Sequence, residues 1–388
     1  AVVVGPGRAH FGLFRTPQSR ETGGGGTANP AGGGVGGGLP PPRGAMFRGF
    51  LPATGFLALA LALIPAASHA AAAEAGTFTL QFENDLFYGA DRHYTNGIRG
   101  SWVSPPRKDA INPLPWVRDL LAWMSLNENA KTRLGLAVAQ EMYTPADRRR
   151  TDLILDDRPY AGWLYGAMSL HTETDIAAHG FKRMLDSIEL NLGIVGPHAY
   201  GQEVQDWVHD IRVIDRFDGW DNQLKDEPGL LLMYERKWRH DPLGAYPDNL
   251  EFDVVPHMGV SIGNVLSHVN VGGALRYGYN IPRDFGPPNL IKGMRTLDGR
   301  RLRGEWSLYA FAGAEGRYVA HNIFLDGNTW RRSHSVDREP LVADLSFGLA
   351  FERGPFKIAY TGVLRSREFH GQPDNARFGS ISLSWQWN

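Results

Sequence analysis

The sequence predicts an all-β fold: a twelve-stranded antiparallel transmembrane β-barrel with a short helix in an extracellular loop. Three observations carry this. Residues 55–67 (GFLALALALIPAA), followed by Ser68-His69-Ala70, have the parts of a secretory signal peptide, and the apolar run is too short for a membrane helix, which needs about 20 residues. After Ala70 no run approaches that length. Instead the chain is a series of segments in which apolar and polar residues alternate, as they do on a strand with one apolar and one polar face.

The chain divides into three parts. Residues 1–45 hold 14 of the 47 glycines, with runs at 23–26, 32–34 and 36–38 and then three prolines. Without apolar periodicity such a segment cannot offset the entropy of ordering. Because the first methionine is Met46, 1–45 reads as upstream sequence translated by an over-long gene prediction, a flexible linker being the alternative. Residues 46–70 read as the signal peptide, with Arg48 as the basic start and Ser68-His69-Ala70 as the cleavage site. The exported part, 71–388, carries 35 basic and 40 acidic residues, a net of −5 once the five upstream arginines and Glu21 are discounted. That balance argues against a nucleic-acid partner, which needs clustered excess Lys and Arg. The absence of cysteine excludes disulfides, thiolate metal sites and a cysteine nucleophile.

Alternating segments fall at 77–87, 94–104, 131–142, 162–175, 185–195, 229–238, 250–263, 267–279, 304–317, 341–353, 355–366 and 377–387. Phe78, Leu80 and Phe82 alternate with Thr79, Gln81 and Glu83 in the first, and Ile381, Leu383, Trp385 and Trp387 share one parity in the last. A soluble β-sandwich alternates in the same way. The signal peptide, the even count, the aromatic residues at strand ends and the apolar C-terminal strand select the barrel. With both termini periplasmic, the connections at 88–93, 143–161, 196–228, 264–266, 318–340 and 367–376 share the outer rim. The long connections at 105–130 and 280–303 then fall on the periplasmic side, where barrels prefer short turns.

The dense polar constellations sit at the outer rim. Asn84-Asp85 closes the first strand, and Tyr94-Thr95-Asn96-Gly97 opens the second. By parity Asp85 and Thr95 face the lumen, while Asn84 faces outward unless a bulge re-aims it. The stretch 201–212 (GQEVQDWVHDIR) reads as an amphipathic helix whose stripe, Val204, Val208 and Ile211, should bury against the barrel wall and bring His209 near strands one and two. Gln205 and His209 are one turn apart on its flank. An imidazole can deprotonate water near neutral pH, and Asn and Asp oxygens suit calcium, which polarises an ester carbonyl. No Gly-x-Ser-x-Gly motif offers a serine nucleophile. The bland readings are a solvated loop histidine, strand-end turn chemistry at Asn84-Asp85, a solvated face at Arg148-Arg149-Arg150, and a structural turn at 157–162.

These residues resemble the outer-membrane lipid A 3′-O-deacylase family, the LpxR type. The matching pieces are Asn84-Asp85, Tyr94-Thr95-Asn96-Gly97, Ala139-Gln140-Glu141-Met142-Tyr143-Thr144-Pro145, Asp157-Arg158, Gly193-Ile194-Val195-Gly196-Pro197, and Gly201-Gln202-Glu203-Val204-Gln205 with His209, Trp220 and Gln223. The resemblance implies a calcium-dependent hydrolase of the 3′-linked acyl ester of lipid A in the bacterial outer membrane. His209 would be the general base, Gln205 its neighbour, Asn84 and Asp85 the calcium and oxyanion region, and Thr95 a further active-site position. Arg149 and Arg150 would meet the lipid A head group. The partners implied are lipid A or lipopolysaccharide and the surrounding membrane lipids, with the barrel a monomer. A short 86–93 loop and a chain ending in Asn388 depart from the family pattern. The competing classes are a non-enzymatic barrel, either a porin or a lipopolysaccharide-binding protein, and an outer-membrane phospholipase.

Overall fold

In a computed structural model the described residues are 76–85, 93–107, 130–178, 181–212, 215–241, 250–286 and 306–387. The upstream segment, the signal peptide and most of the 105–130 and 280–303 connections lie outside them.

Twelve antiparallel strands close on themselves: β1 (Gly76–Asn84), β2 (His93–Val103), β3 (Lys131–Thr144), β4 (Ala161–Ala178), β5 (Phe181–Val195), β6 (Glu227–His240), β7 (Leu250–Gly263), β8 (Leu266–Tyr279), β9 (Trp306–Asn322), β10 (Leu341–Arg353), β11 (Phe356–Arg365) and β12 (Ala376–Trp387). Each pairs with its sequence neighbours, and β1 closes on β12 from Gly76↔Trp387 to Asn84↔Gly379. Closure leaves no edge strand, so the backbone groups along the body of the sheet pair within it.

The burial pattern separates a barrel from a sandwich. A sandwich hides its apolar faces between two sheets, whereas here the apolar parity points out. Met168, Leu192, Val271, Leu345, Leu349, Ile358, Leu383 and Trp385 are all exposed, and the opposite parity is a buried polar lining that includes Thr79, Gln81, Arg99, Glu189, Asp253 and Glu315. Only a hydrocarbon surround makes that arrangement favourable. No helix among the described residues is long and apolar enough to cross a membrane, so any crossing is by strands.

At one rim the chain from β5 to β6 forms a 3-10 turn (Pro197–Ala199), helix α1 (Gly201–Arg212) and a second 3-10 turn (Trp220–Asn222). A short helix α2 (Ile323–Asp326) follows β9 at the same rim. At the opposite rim Ile281 and Phe285, which follow β8, are buried against residues of the lumenal wall.

Candidate active site

Helix α1 is held on the barrel by two close approaches. Gly162 at the start of β4 meets Gly201 at the start of α1, where an added Cβ on Gly162 would lie 3.2 Å from the Gly201 nitrogen. Gln140 of β3 donates from Nε2 to the Ala199 carbonyl at 2.6 Å. The helix therefore packs on β3 and β4. Val204 joins a cluster of Met142, Tyr160, Phe217 and Trp220.

The face it buries also differs from the expected one. Val204 and Val208 are only half-buried, and Ile211 lies among side chains outside the described residues. Gly201, Gln205 and His209, at i, i+4 and i+8, are the buried face. Burying an amide and an imidazole is tolerable because the following loop supplies partners. The indole Nε1 of Trp220 donates to Gln205 Oε1 at 2.7 Å. His209 Nδ1 lies 2.7 Å from the Asp215 carbonyl, and Phe217 meets the ring edge-on at 5.7 Å. A carbonyl only accepts, so Nδ1 carries the proton and the neutral ring keeps its lone pair on Nε2. Gln205 Nε2 is buried with no hydrogen-bond partner.

Charged residues brace that loop. Arg216 binds Asp210 through Nε and Nη2 and approaches Asp206 through Nη1 at 3.5 Å. The Arg216 hydrogen bond holds the Asp210 carboxyl below its ordinary value, while burial pushes Asp206 up against the pull of Arg216. Arg148 and Arg149 reach the Asp215 carboxylate at 3.8 and 3.6 Å. The basic run thus touches the residue whose carbonyl fixes His209. Arg149 is 77% exposed, and Arg150 is paired with Asp152 at 3.1 and 2.5 Å.

Asn84 and Asp85 are both buried, at 3% and 1% exposure. Asn84 keeps the outward parity expected of it and is buried there: its rung carries Met142, which packs with Val204 of α1. Beyond that rung β2 bulges, its register to β3 shifting between Tyr94 and Asn96. Thr95 is the residue skipped by that shift, and its side chain lies outside the described residues. Asn84, Asn96 and Met142 share one rung across β1, β2 and β3. That rung puts Asn84 about 10 Å from the residue on which α1 rests, at the usual spacing of neighbouring strands. The Asn96 Oδ1 is a buried oxygen with no hydrogen-bond partner beside Asn84. A carboxylate and two amide oxygens at one strand end are the hard donors calcium takes, so these residues fit that ion.

Asp157-Arg158 proves structural. Asp157 accepts from the Ala146 and Arg158 backbone N–H groups, and Arg158, fully buried, donates to Glu368 at 2.8 Å and lies over the Tyr143 and Phe369 rings. Sequence reasoning missed Asp215, Arg216 and Phe217, which orient the histidine, and Asn96 as an oxygen donor. It also missed the lumenal network below, where Glu141 accepts from Tyr143 and Tyr165 at 2.8 and 3.0 Å and Arg99 pairs with Glu189 at 2.8 Å. A lumenal cavity of about 50 Å³ lies beside that network, lined by Tyr143, Trp163, Met233 and Phe324 among others, and does not include His209 or Asp85.

A closed barrel with an apolar exterior, a charged interior and a polar site at one rim defines a bacterial outer-membrane protein. The chain belongs to the family described as outer membrane protein LpxR, which matches residues 56–387. LpxR from Salmonella typhimurium is similar in structure, with a TM-score of 0.65 and 18% identity over 80% of this chain and 100% of that one. The translocator domain of the autotransporter NalP from Neisseria meningitidis gives 0.37 at 9% identity, covering 86% and 94% of the two chains. The transport unit of the autotransporter AIDA-I from Escherichia coli gives 0.36 at 8%, covering 87% and 99%. The comparison with curated proteins gave no match.

Proposed function

We propose that this protein is a calcium-dependent lipid A deacylase that hydrolyses the 3′-linked acyl ester, with His209 as general base. The observation that carries the reading is the fixed tautomer of a buried histidine: Nδ1–H is spent on the Asp215 carbonyl, so Nε2 is the basic atom. A water molecule loses its proton to Nε2 while its oxygen bonds to the acyl carbon. The bond from that carbon to the sugar oxygen then breaks, and the imidazolium returns the proton to the departing oxygen, leaving a fatty acid and a sugar hydroxyl. The Gln205 amide, held through its oxygen by Trp220, keeps an N–H donor for the oxyanion. Calcium held by Asp85, Asn84 and Asn96 would add positive charge where the oxyanion develops. Arg149, exposed at the rim, suits a phosphate of the lipid A head group, with Arg150 beside it.

The test uses purified barrel in detergent with lipid A and a glycerophospholipid supplied side by side, followed by mass spectrometry. Acyl loss from lipid A alone, abolished by chelator and by His209→Ala or Asp85→Ala in barrels that still shift on heating, is the expected result. Undiminished acyl loss in both variants refutes it, and acyl loss from the phospholipid instead makes the protein a phospholipase.

A further inference from the structure

Midway along the barrel, below the α1 rim, the lumen holds a second group of donor atoms. Glu235 of β6, His257 of β7 and Glu315 of β9 are all buried, and each offers an oxygen or nitrogen within 4.8 Å of the others'. The register explains how three strands reach one point. His257, Gly272 and Glu315 share one rung across β7, β8 and β9. Strands two apart are separated by about 10 Å, so the side chains meet only if the strand between them contributes none. Gly272 provides that gap: His257 Nε2 reaches Glu315 Oε2 at 2.7 Å, and a Cβ on Gly272 would lie 2.8 Å from Nε2. Glu235 pairs with Gly259, two residues from His257 on the same face. Asn270 donates to Glu315 Oε2 at 3.0 Å and helps to orient it.

We propose that Glu235, His257 and Glu315 bind a divalent transition ion of the zinc class. One imidazole nitrogen and two carboxylate oxygens make a three-ligand protein set with positions left for water. An imidazole ligand selects against calcium and magnesium, which prefer oxygen. Zinc at about 2.0–2.2 Å from each donor holds them roughly 3.4 Å apart, so movements of about 1 Å convert the hydrogen-bonded trio into a coordination sphere. The ion takes the place of the proton shared by His257 and Glu315, so binding releases a proton and weakens in acid. Lys237 lies 2.9 Å from one Glu235 oxygen and leaves the carboxylate its second. Arg317 is anchored mainly on Asp344 at 2.8 Å and stands 3.7 Å from Glu315. These two cations keep the empty trio neutralised and moderate the affinity. A bound ion ties β9 to β6 and β7 across β8 and stabilises the barrel by mass action.

The test takes the full-length folded barrel, stripped with chelator and transferred to chelator-free detergent, and titrates it with zinc chloride alone by calorimetry, with bound metal counted by mass spectrometry. We expect one zinc per chain that weakens at least tenfold in His257→Gln and in Glu315→Gln and persists in Asp85→Ala. Gly272→Ala retains all three ligands yet fills the gap, and a comparable weakening is expected there even if a ligand variant fails to fold. Zinc bound equally by wild type and these variants, or lost only in Asp85→Ala, overturns the proposal, as does the absence of binding below millimolar zinc. The readout is metal rather than acyl release, so its failure is distinguishable from failure of the deacylase reading.

Discussion

Trp220→Phe isolates one hydrogen bond of the candidate site. Phenylalanine keeps an aromatic ring beside Tyr160, whose centroid lies 5.1 Å from that of Trp220, and relieves rather than worsens the contact with Gly201. What disappears is the Nε1–H that holds Gln205 Oε1 at 2.7 Å. Gln205 is 1% exposed, so its carbonyl oxygen is left buried and unsatisfied, a cost of about 1–3 kcal/mol. The amide can then turn to find another partner, and its nitrogen leaves the position from which it would serve the oxyanion. If that loss falls on the transition state, kcat drops about 10- to 100-fold with little change in KM. Acyl release from lipid A, timed by mass spectrometry with wild type, Trp220→Phe and Gln205→Ala in parallel, reads this directly. A Trp220→Phe rate within twofold of wild type, in a barrel that still shifts on heating, refutes the role given to the indole. An unimpaired Gln205→Ala removes the role given to the amide as well.

Gly162→Ala places a methyl 3.1 Å from Ala199 Cβ and 3.2 Å from the Gly201 nitrogen, so α1 shifts by a few tenths of an ångström and acyl release falls about tenfold. Gly166→Ala on the same strand meets only the Ala137 carbonyl at 4.0 Å and leaves the rate unchanged. Burial pushes the Glu368 carboxyl up, but Arg158, Arg365 and Arg317 outweigh burial and hold it at about 2, against an ordinary value near 4.3. A lowered folded value means stability that is complete above about pH 5 and lost as pH falls through 2. The urea midpoint of the wild type therefore declines over that window. Glu368→Gln flattens the decline and costs about 3 kcal/mol at neutral pH by removing the carboxylate that Arg158 binds at 2.8 Å and Arg365 at 3.3 Å, as urea titrations at pH 7 and pH 3 would register. In planar bilayers the wild type gives no steady conductance, whereas Asp284→Ala, which removes the carboxylate shared by Arg276 and Lys357, produces openings; a porin-like steady current in the wild type contradicts this.

The strands were legible because lipid outside and charge inside force strict alternation. All twelve appear at the expected places, and so does α1 at 201–212. Some boundaries slip by a few residues. Strand β5 begins at Phe181 rather than 185, through Lys182 and Arg183, and β9 runs on to Asn322 rather than 317. In the site, the histidine and its neighbour were readable as a helical pair. Their burial was not, because a hydrophobic stripe ranks valine above glutamine and histidine, and the partners that make their burial tolerable, Trp220 and Asp215, come from the following loop. Parity gave Asn84 its outward face, but its burial there, on the rung of Met142 where α1 rests, was not readable. Glu235, His257 and Glu315 are brought together by register through two glycines, which no local spacing encodes.

The long 280–303 connection finds part of its explanation in the lumen. Phe285 packs with Val103, Leu185 and Val255, from β2, β5 and β7, and Ile281 with Tyr309, Phe311, Ala350 and Ala359, from β9, β10 and β11. Residues 281–286 therefore touch the inner wall on several sides. Asp284 is bound by Arg276 and by Lys357 at 2.6 Å, while Arg239 reaches the Pro282 carbonyl at 3.0 Å and Arg183 the Arg283 carbonyl. Breaking one such buried pair costs several kcal/mol, so a solute crossing here would have to displace a packed segment and several ion pairs together. A lumen built this way serves as a core. Under the deacylase reading, chemistry on a lipid belongs at the α1 rim, where a buried imidazole and amide lie on a helix packed on β3 and β4 and where an outer-leaflet substrate would arrive without entering the barrel.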